Sequence, residues 1–292
     1  VPDVTMLHRM ASDGYDSNGK RWPPILSDEL CEPMGGGNNE DALDAIGLHV
    51  VVDSEASSTR VLCLMYTMEA AHATKIRAIR ETWASRCDGY LAFSTKSDPR
   101  IPAISIPHDG EESYNNMWQK VRSIWKFVHE HYIDDFDYFF LGGDDLFVIP
   151  ENLRSYLNTL EGGTAHFVGR RFKGYGNNNY FNSGGAGYAL SQQTLREFRS
   201  IMDECEVRTH TATEDVMIAQ CLRNVLNIGL TDTRDSQQRE RFHPFAPATH
   251  YTWTPKDDWY DKYNMEWGLQ LGEDCCAPDS VSFHYIKKPA MV

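Results

Sequence analysis

The run Phe136-Asp137-Tyr138-Phe139-Phe140-Leu141, closed by Gly142-Gly143-Asp144-Asp145, constrains this chain more than any other segment. A stretch so apolar reads as a strand buried on both faces, the kind from which parallel sheets are built. Parallel neighbours need long crossover connections, usually helices, and the sequence supplies them. Thr59-Arg60-Val61-Leu62-Cys63-Leu64-Met65-Tyr66 and Gly89-Tyr90-Leu91-Ala92-Phe93 read as two more strands. Helices are expected at about 74–84 and at 114–132, where Met117, Val121, Ile124, Trp125 and Val128 form one apolar stripe. Another is expected at 150–159, opened by Pro150. Strand-like His166-Phe167-Val168-Gly169, a Gly/Asn-rich loop at 174–179 and helices from about Ser191 and over 213–226 follow. After Gly229 the chain reads as irregular and aromatic. The expected fold is α/β, a central, mostly parallel sheet with helices on both faces.

Residues 1–57 are polar, with Gly35-Gly36-Gly37-Asn38-Asn39 among them, and show no sustained periodicity. They read as a stem or wrapping arm ahead of a domain at 58–292. No run of 18 apolar residues is present, so nothing in the sequence reads as a bilayer-spanning helix. The formal net charge of -14 argues against a nucleic-acid backbone or an anionic membrane as the main partner. A phosphate held through a metal ion remains compatible with it.

None of the seven cysteines (31, 63, 87, 205, 221, 275 and 276) forms a zinc-type CxxC pattern. Their regional grouping suits a secretory disulfide framework. Cys63 is expected to pair with Cys87 and Cys205 with Cys221, with Cys275 and Cys276 joined to each other or nearby and Cys31 left over.

In open α/β sheets, ligands sit beyond the carboxyl ends of the strands. Asp144 and Asp145 lie at such an end, after two glycines, and carboxylates there suit Mg²⁺ or Mn²⁺ holding a diphosphate. They also suit a plain turn before Pro150. Glu214-Asp215 begins a helix, where acids commonly serve as capping and dipole groups. His284, in Val281-Ser282-Phe283-His284-Tyr285, reads equally as a metal ligand or a hydrogen-bonded structural residue. No phosphate-cradling GxxxxGK[ST] and no nucleophile motif are present.

These segments occur together with Ile79-Arg80-Glu81-Thr82-Trp83, Ser183-Gly184-Gly185-Ala186-Gly187-Tyr188, Phe242-His243-Pro244-Phe245, Asp232-Thr233-Arg234-Asp235 and Cys275-Cys276. In that combination the sequence resembles the core 1 β1,3-galactosyltransferases (T-synthases), members of glycosyltransferase family 31, over about residues 59–286. The resemblance implies a GT-A type nucleotide-sugar-binding fold and Mn²⁺. It implies inverting transfer of galactose from UDP-galactose to GalNAc on a glycopeptide or glycoprotein. It also implies a type II membrane protein of the Golgi lumen, with its anchor outside this sequence. Nucleic acid is not an expected partner, and a homodimer is left open. By position, the resemblance puts the metal on Asp145 and His284 and the catalytic base on Asp215. It puts the donor near Asp144, Lys120, Arg80 and Gly185, and the acceptor near Trp259, Tyr260, Tyr263 and Glu214. Lys120 reads otherwise as a solvated helix lysine, and each ring as core packing.

One departure stands out. Relatives read Asp-Asp-Asp where this chain has Gly143-Asp144-Asp145, and Leu141 replaces a usual Lys. Neighbouring residues of an extended segment face opposite ways, so Asp145 keeps the metal position while Gly143 removes a contact near the donor ribose. Two rival functions follow. One is a chaperone-like paralogue that has lost activity, against which the retention of Asp145, Asp215 and His284 together weighs. The other is a β1,3-transferase with a different donor or acceptor sugar.

Overall fold

The computed structural model describes residues 39–51 and 58–286. Its centre is a six-stranded sheet in the order β3-β2-β1-β4-β9-β6. The strands are β1 (Val61–Tyr66), β2 (Gly89–Ser94), β3 (Ala103–Ser105), β4 (Tyr138–Gly143), β6 (Phe167–Gly169) and β9 (Tyr188–Ser191). β1 to β4 run parallel, β9 runs antiparallel to β4, and β6 runs antiparallel to β9. The sheet is therefore mixed at one edge, as the largely parallel reading expected of its centre.

Period-two alternation in β1 divides the core. Leu62 and Leu64 point to one side, against Trp118, Val121, Ile124, Trp125 and Val128 of helix α3 (Met117–Tyr132). Val61, Cys63 and Met65 point to the other, against Ile79 and Trp83 from helix α2 (Arg77–Thr82) and the residue after it. Each of these fully buried side chains contributes about 1.5–3 kcal/mol of transfer free energy. Helices α5 (Gln192–Ile201) and α6 (Glu214–Leu226) join α3 on its side, and α4 (Pro150–Asn158) joins α2.

The connection between β1 and α2 differs from the single helix expected at about 74–84, starting earlier and changing its winding. A 3-10 turn (Glu69–Ala71) and a π-helical turn (His72–Ile76) lead into the α-helix. The aromatic C-terminal part, read from sequence as irregular, carries two short helices, α7 (Pro247–Tyr251) and α8 (Trp259–Asn264). It also contributes β10 (Phe242–His243) and β11 (Ser282–Phe283), which form a small sheet with β5 (Phe147–Val148). A hairpin of β7 (Arg171–Lys173) and β8 (Tyr180–Asn182) brackets the Gly/Asn-rich loop.

Part of the polar N-terminal segment is packed on the domain. Helix α1 (Asn39–Ala45) lies against α7, where Asn39 Oδ1 accepts from the Ala248 amide at 3.0 Å. Val51 donates to Asn152 at 2.8 Å. Disulfides join Cys63 to Cys87, Cys205 to Cys221 and Cys275 to Cys276, as expected; Cys31 lies outside the described residues. Among the described residues no helix is long and apolar enough to cross a membrane.

Candidate active site

From β1 the chain runs outward through β2 and β3, then returns to place β4 on β1's other flank. The reversal makes the carboxyl ends of β1 and β4 the switch point, the place where open α/β sheets bind ligands. Tyr66 and Gly143 are register partners there. A cleft of about 790 Å³ opens over this point, lined by Tyr66, Thr67, Lys75, Asp144, Asp145 and Asp215 among others.

Asp144 and Asp145 lie in the turn that follows β4, not on the extended segment expected from sequence, and their side chains find different partners. Asp145 Oδ1 faces His284 Nε2 at 3.1 Å, and His284 Nδ1 faces the Pro244 carbonyl at 3.2 Å. An Nδ1–H donating to that carbonyl turns Nε2 toward the carboxylate. Burial alone would push the Asp145 carboxyl up. The His284 hydrogen bond and charge, with the Lys75 charge, hold it below the usual carboxylate range. An imidazole nitrogen and a carboxylate oxygen 3.1 Å apart fit neighbouring positions on one divalent ion, whose bonds of about 2.1 Å at a right angle span the same separation. The His284 ring is closely packed. Tyr285 stacks on it at 3.9 Å, and a Cβ on Gly185 would stand 2.7 Å from its Nδ1.

Asp144 has other partners. Its Oδ1 accepts from Lys75 Nζ at 2.5 Å and its Oδ2 from the Thr67 hydroxyl at 2.7 Å. The Thr67 carbonyl accepts from Lys120 Nζ at 2.8 Å, and Lys120 also meets Glu112 at 2.6 Å. Lys120 is thus a buried lysine at the cleft wall, not a solvated one.

Across the cleft, Asp215 sits in the first turn of α6, a position the helix dipole favours for a carboxylate. Its Oδ2 accepts from the Gly184 amide and its Oδ1 from the Val216 amide, both at 2.9 Å. Burial raises its carboxyl above the usual aspartate value, and these amide bonds oppose the rise. Glu214 is buried behind it, where a Cβ on Gly184 would meet its Oε1 at 2.5 Å. Burial, then the neighbouring Asp215 charge, push Glu214 well above the carboxylate range, although the Tyr188 hydroxyl donates to it at 2.8 Å.

The acceptor-side expectation divides. Trp259 and Tyr263 line the cleft with Phe172, Phe181 and Phe245. Tyr260, on the same helix, faces inward. It is 1% exposed, with its hydroxyl 3.3 Å from Arg170 and 3.4 Å from His250. Arg80 lies outside the cleft lining, its guanidinium donating to the Arg100 carbonyl and to Glu81 on the far side of the sheet. Glu214 is likewise behind the wall rather than on it.

Sequence reasoning missed Lys75, Thr67, Tyr66 and the facing pair Phe172 and Phe181. Only the alternation of the hairpin strands could have signalled the last two. At Gly143 a Cβ would meet the Tyr66 ring at 3.2 Å and Asp145 Oδ1 at 3.4 Å, so the Tyr66 ring occupies the space beside this glycine. A separate group, His243, His250 and Cys276, brings ligand-type atoms within 4.8 Å of one another. Cys276 is bridged to Cys275, His250 Nε2 accepts from the Phe245 amide and His243 Nε2 meets Ser280. Those bonds leave one free nitrogen lone pair, on His243 Nδ1, too few for a metal ion.

Carboxylates and an imidazole gathered over the switch point of a largely parallel sheet, beside a wall of aromatic rings, define an α/β enzyme site suited to a metal-bound nucleotide and a ring-shaped second substrate. The Fringe-like family model matches residues 57–255, and the chain belongs to that family. It is 32% identical over 265 residues to glycoprotein-N-acetylgalactosamine 3-beta-galactosyltransferase 1 of Xenopus laevis, covering 87% of this chain and 72% of that protein. Human chondroitin sulfate glucuronyltransferase is 28% identical over 189 residues, 64% of this chain and 24% of its own length. Human chondroitin sulfate synthase 3 is 26% identical over 165 residues, 50% and 18% respectively. A structural likeness to the glycosyltransferase GlyE of Streptococcus pneumoniae TIGR4, with TM-score 0.33 and 12% identity over 60% of this chain and 46% of that one, is too slight to build on.

Proposed function

We propose that this protein transfers galactose from UDP-galactose to the 3-hydroxyl of an O-linked GalNAc, with inversion at the anomeric carbon. The observation that carries the reading is Asp215. Its carboxylate lines the same cleft as Asp145 and His284 and accepts hydrogen bonds from two backbone amides. A general base must reach the acceptor hydroxyl and stay uncommitted to the metal, and a raised pKa brings it nearer to working pH. A relative 32% identical over 87% of this chain acts, by its name, on N-acetylgalactosamine in glycoproteins.

In this mechanism the acceptor ring rests against Trp259 and Tyr263, and Asp215 takes the proton from its hydroxyl as that oxygen bonds to the anomeric carbon. The bond from that carbon to the UDP oxygen breaks in the same displacement. Asp145 and His284 would hold Mn²⁺, which when bound supplies charge neutralisation for the departing diphosphate. Lys120, fixed by Glu112 and Thr67, keeps a positive charge at the wall on the strand-end side. Glycoprotein acceptors and the three disulfides fit action in the Golgi lumen.

The test is UDP release from a panel of UDP-sugars, with and without Mn²⁺, in the presence of a GalNAc-bearing glycopeptide. UDP-galactose alone should turn over, and only with the metal. Preference for another UDP-sugar would point to a different donor. Absence of release from every sugar would favour a binding protein.

A further inference from the structure

The position before the metal carboxylate is occupied in an unexpected way. Both oxygens of Asp144 already accept hydrogen bonds, one from Lys75 and one from Thr67, so this cleft-lining carboxylate is engaged by protein donors. Lys75 itself lines the cleft, with about a third of its side chain exposed (34%). An ammonium has three N–H donors, and Asp144 takes one of them, which leaves two for a ligand.

The surroundings extend the point. Thr67 links the two lysines, since its hydroxyl donates to Asp144 while its carbonyl accepts from Lys120. The result is a bonded series, Lys120–Thr67–Asp144–Lys75, laid across the ends of β1 and β4. Lysine is represented in the cleft lining by these two alone, and the described lining contains no arginine. A donor diphosphate brings negative charge into a protein that is itself strongly acidic, into a cleft that already holds Asp144, Asp145, Asp215 and Glu112. Lys120 is 3% exposed and held by two partners, so it contributes charge from behind the wall. Lys75 can reach outward.

On the reading of the site as a UDP-sugar site, we propose that Lys75 is the side chain that contacts the donor's diphosphate. Asp144 is then a positioning residue, holding the Lys75 ammonium over the strand ends without touching the donor itself. An ordinary exposed ion pair is worth little and carries no such role. What separates this pair from one is the second clamp from Thr67 and the placement of the ammonium at the switch point.

The experiment is calorimetric binding of UDP and of uridine, with Mn²⁺ present, to the wild type, Lys75→Met, Lys75→Arg, Asp144→Asn and the Lys75→Met/Asp144→Asn double variant. Thermal melts confirm that each is folded. Lys75→Met should weaken UDP by ~10- to 100-fold, the worth of a charge-assisted hydrogen bond, and leave uridine unchanged. Lys75→Arg should recover most of the loss. Asp144→Asn should weaken UDP in the wild-type background and add nothing in the Lys75→Met background, because it acts through that ammonium. Wild-type UDP affinity in Lys75→Met would overturn the inference. So would additive losses, or a loss of uridine binding in Asp144→Asn, which would mean that Asp144 touches the donor. A wild type that binds neither UDP nor uridine would instead overturn the reading of the site, and the inference with it.

Discussion

Gly185→Ala gives the sharpest test of how His284, the proposed metal ligand, is positioned. The added methyl would stand 2.7 Å from His284 Nδ1 and 2.8 Å from its Cε1. That is about 0.7 Å short of ordinary van der Waals contact, and the imidazole has little room to move with Tyr285 stacked on it at 3.9 Å. The ring must tilt, and the 3.1 Å separation of Nε2 from Asp145 Oδ1 opens with it. Overpacking of this kind costs about 1–3 kcal/mol of stability. Disturbing a ligand's orientation costs about 10- to 100-fold in metal affinity. Titration of Mn²⁺ against the apoprotein, followed by calorimetry, should therefore show that loss while thermal melts show a folded chain with a modestly lowered Tm. Unchanged Mn²⁺ affinity in a folded Gly185→Ala would refute the placement of His284 as a ligand.

Further outcomes follow from the same geometry. Glu214→Gln should be at least as stable as the wild type at neutral pH, with an advantage that grows as pH rises above the unfolded carboxylate value. Burial raises the folded pKa of Glu214, so the stability tied to its protonated form is complete at low pH and is lost toward the folded pKa, by at most about 1.4 kcal/mol per pH unit. Melts across pH 5–8 read this directly, and parallel curves for the two proteins would contradict it. The acid limb of kcat/KM should fall at a pH above that of an ordinary aspartate, because burial raises the pKa of the Asp215 base; a limb at or below the ordinary value would count against Asp215. Replacing Cys205 and Cys221 by Ser should cost about 2–4 kcal/mol in urea unfolding, with no loss expected if the bond does not form in solution.

The sheet was legible because its strands are buried on both faces and so appear as unbroken apolar runs: Val61 to Met65 and Tyr138 to Leu141 leave little alternative. The long helix was legible from the stripe that packs on Leu62 and Leu64. The hairpin and α8 were not, since three-residue strands and a six-residue helix carry too few residues for a period to emerge. Motif positions located the cleft, yet motif membership says nothing about which way a side chain points. Trp259 and Tyr263 face the cleft and Tyr260 does not, because four-residue spacing returns to one face of a helix and the residue between turns away. Arg80 is drawn inward by the Arg100 carbonyl, a partner set by tertiary packing alone. Lys75 stayed hidden because the π-helical turn shifts the register of the helix it precedes, so no amphipathic pattern marks its face.

The central claim is that Asp215 removes the acceptor proton. The most direct test compares single-turnover transfer from UDP-galactose to a GalNAc glycopeptide by the wild type and by Asp215→Asn, with UDP and Mn²⁺ affinities measured on both. Asn keeps the side chain's shape and can still accept from the Gly184 amide, yet it cannot take a proton. The account predicts a rate lowered by ~10²- to 10⁴-fold with both affinities near wild type. Transfer at the wild-type rate by Asp215→Asn would contradict it, leaving Asp215 as a carboxylate that only orders the start of its helix.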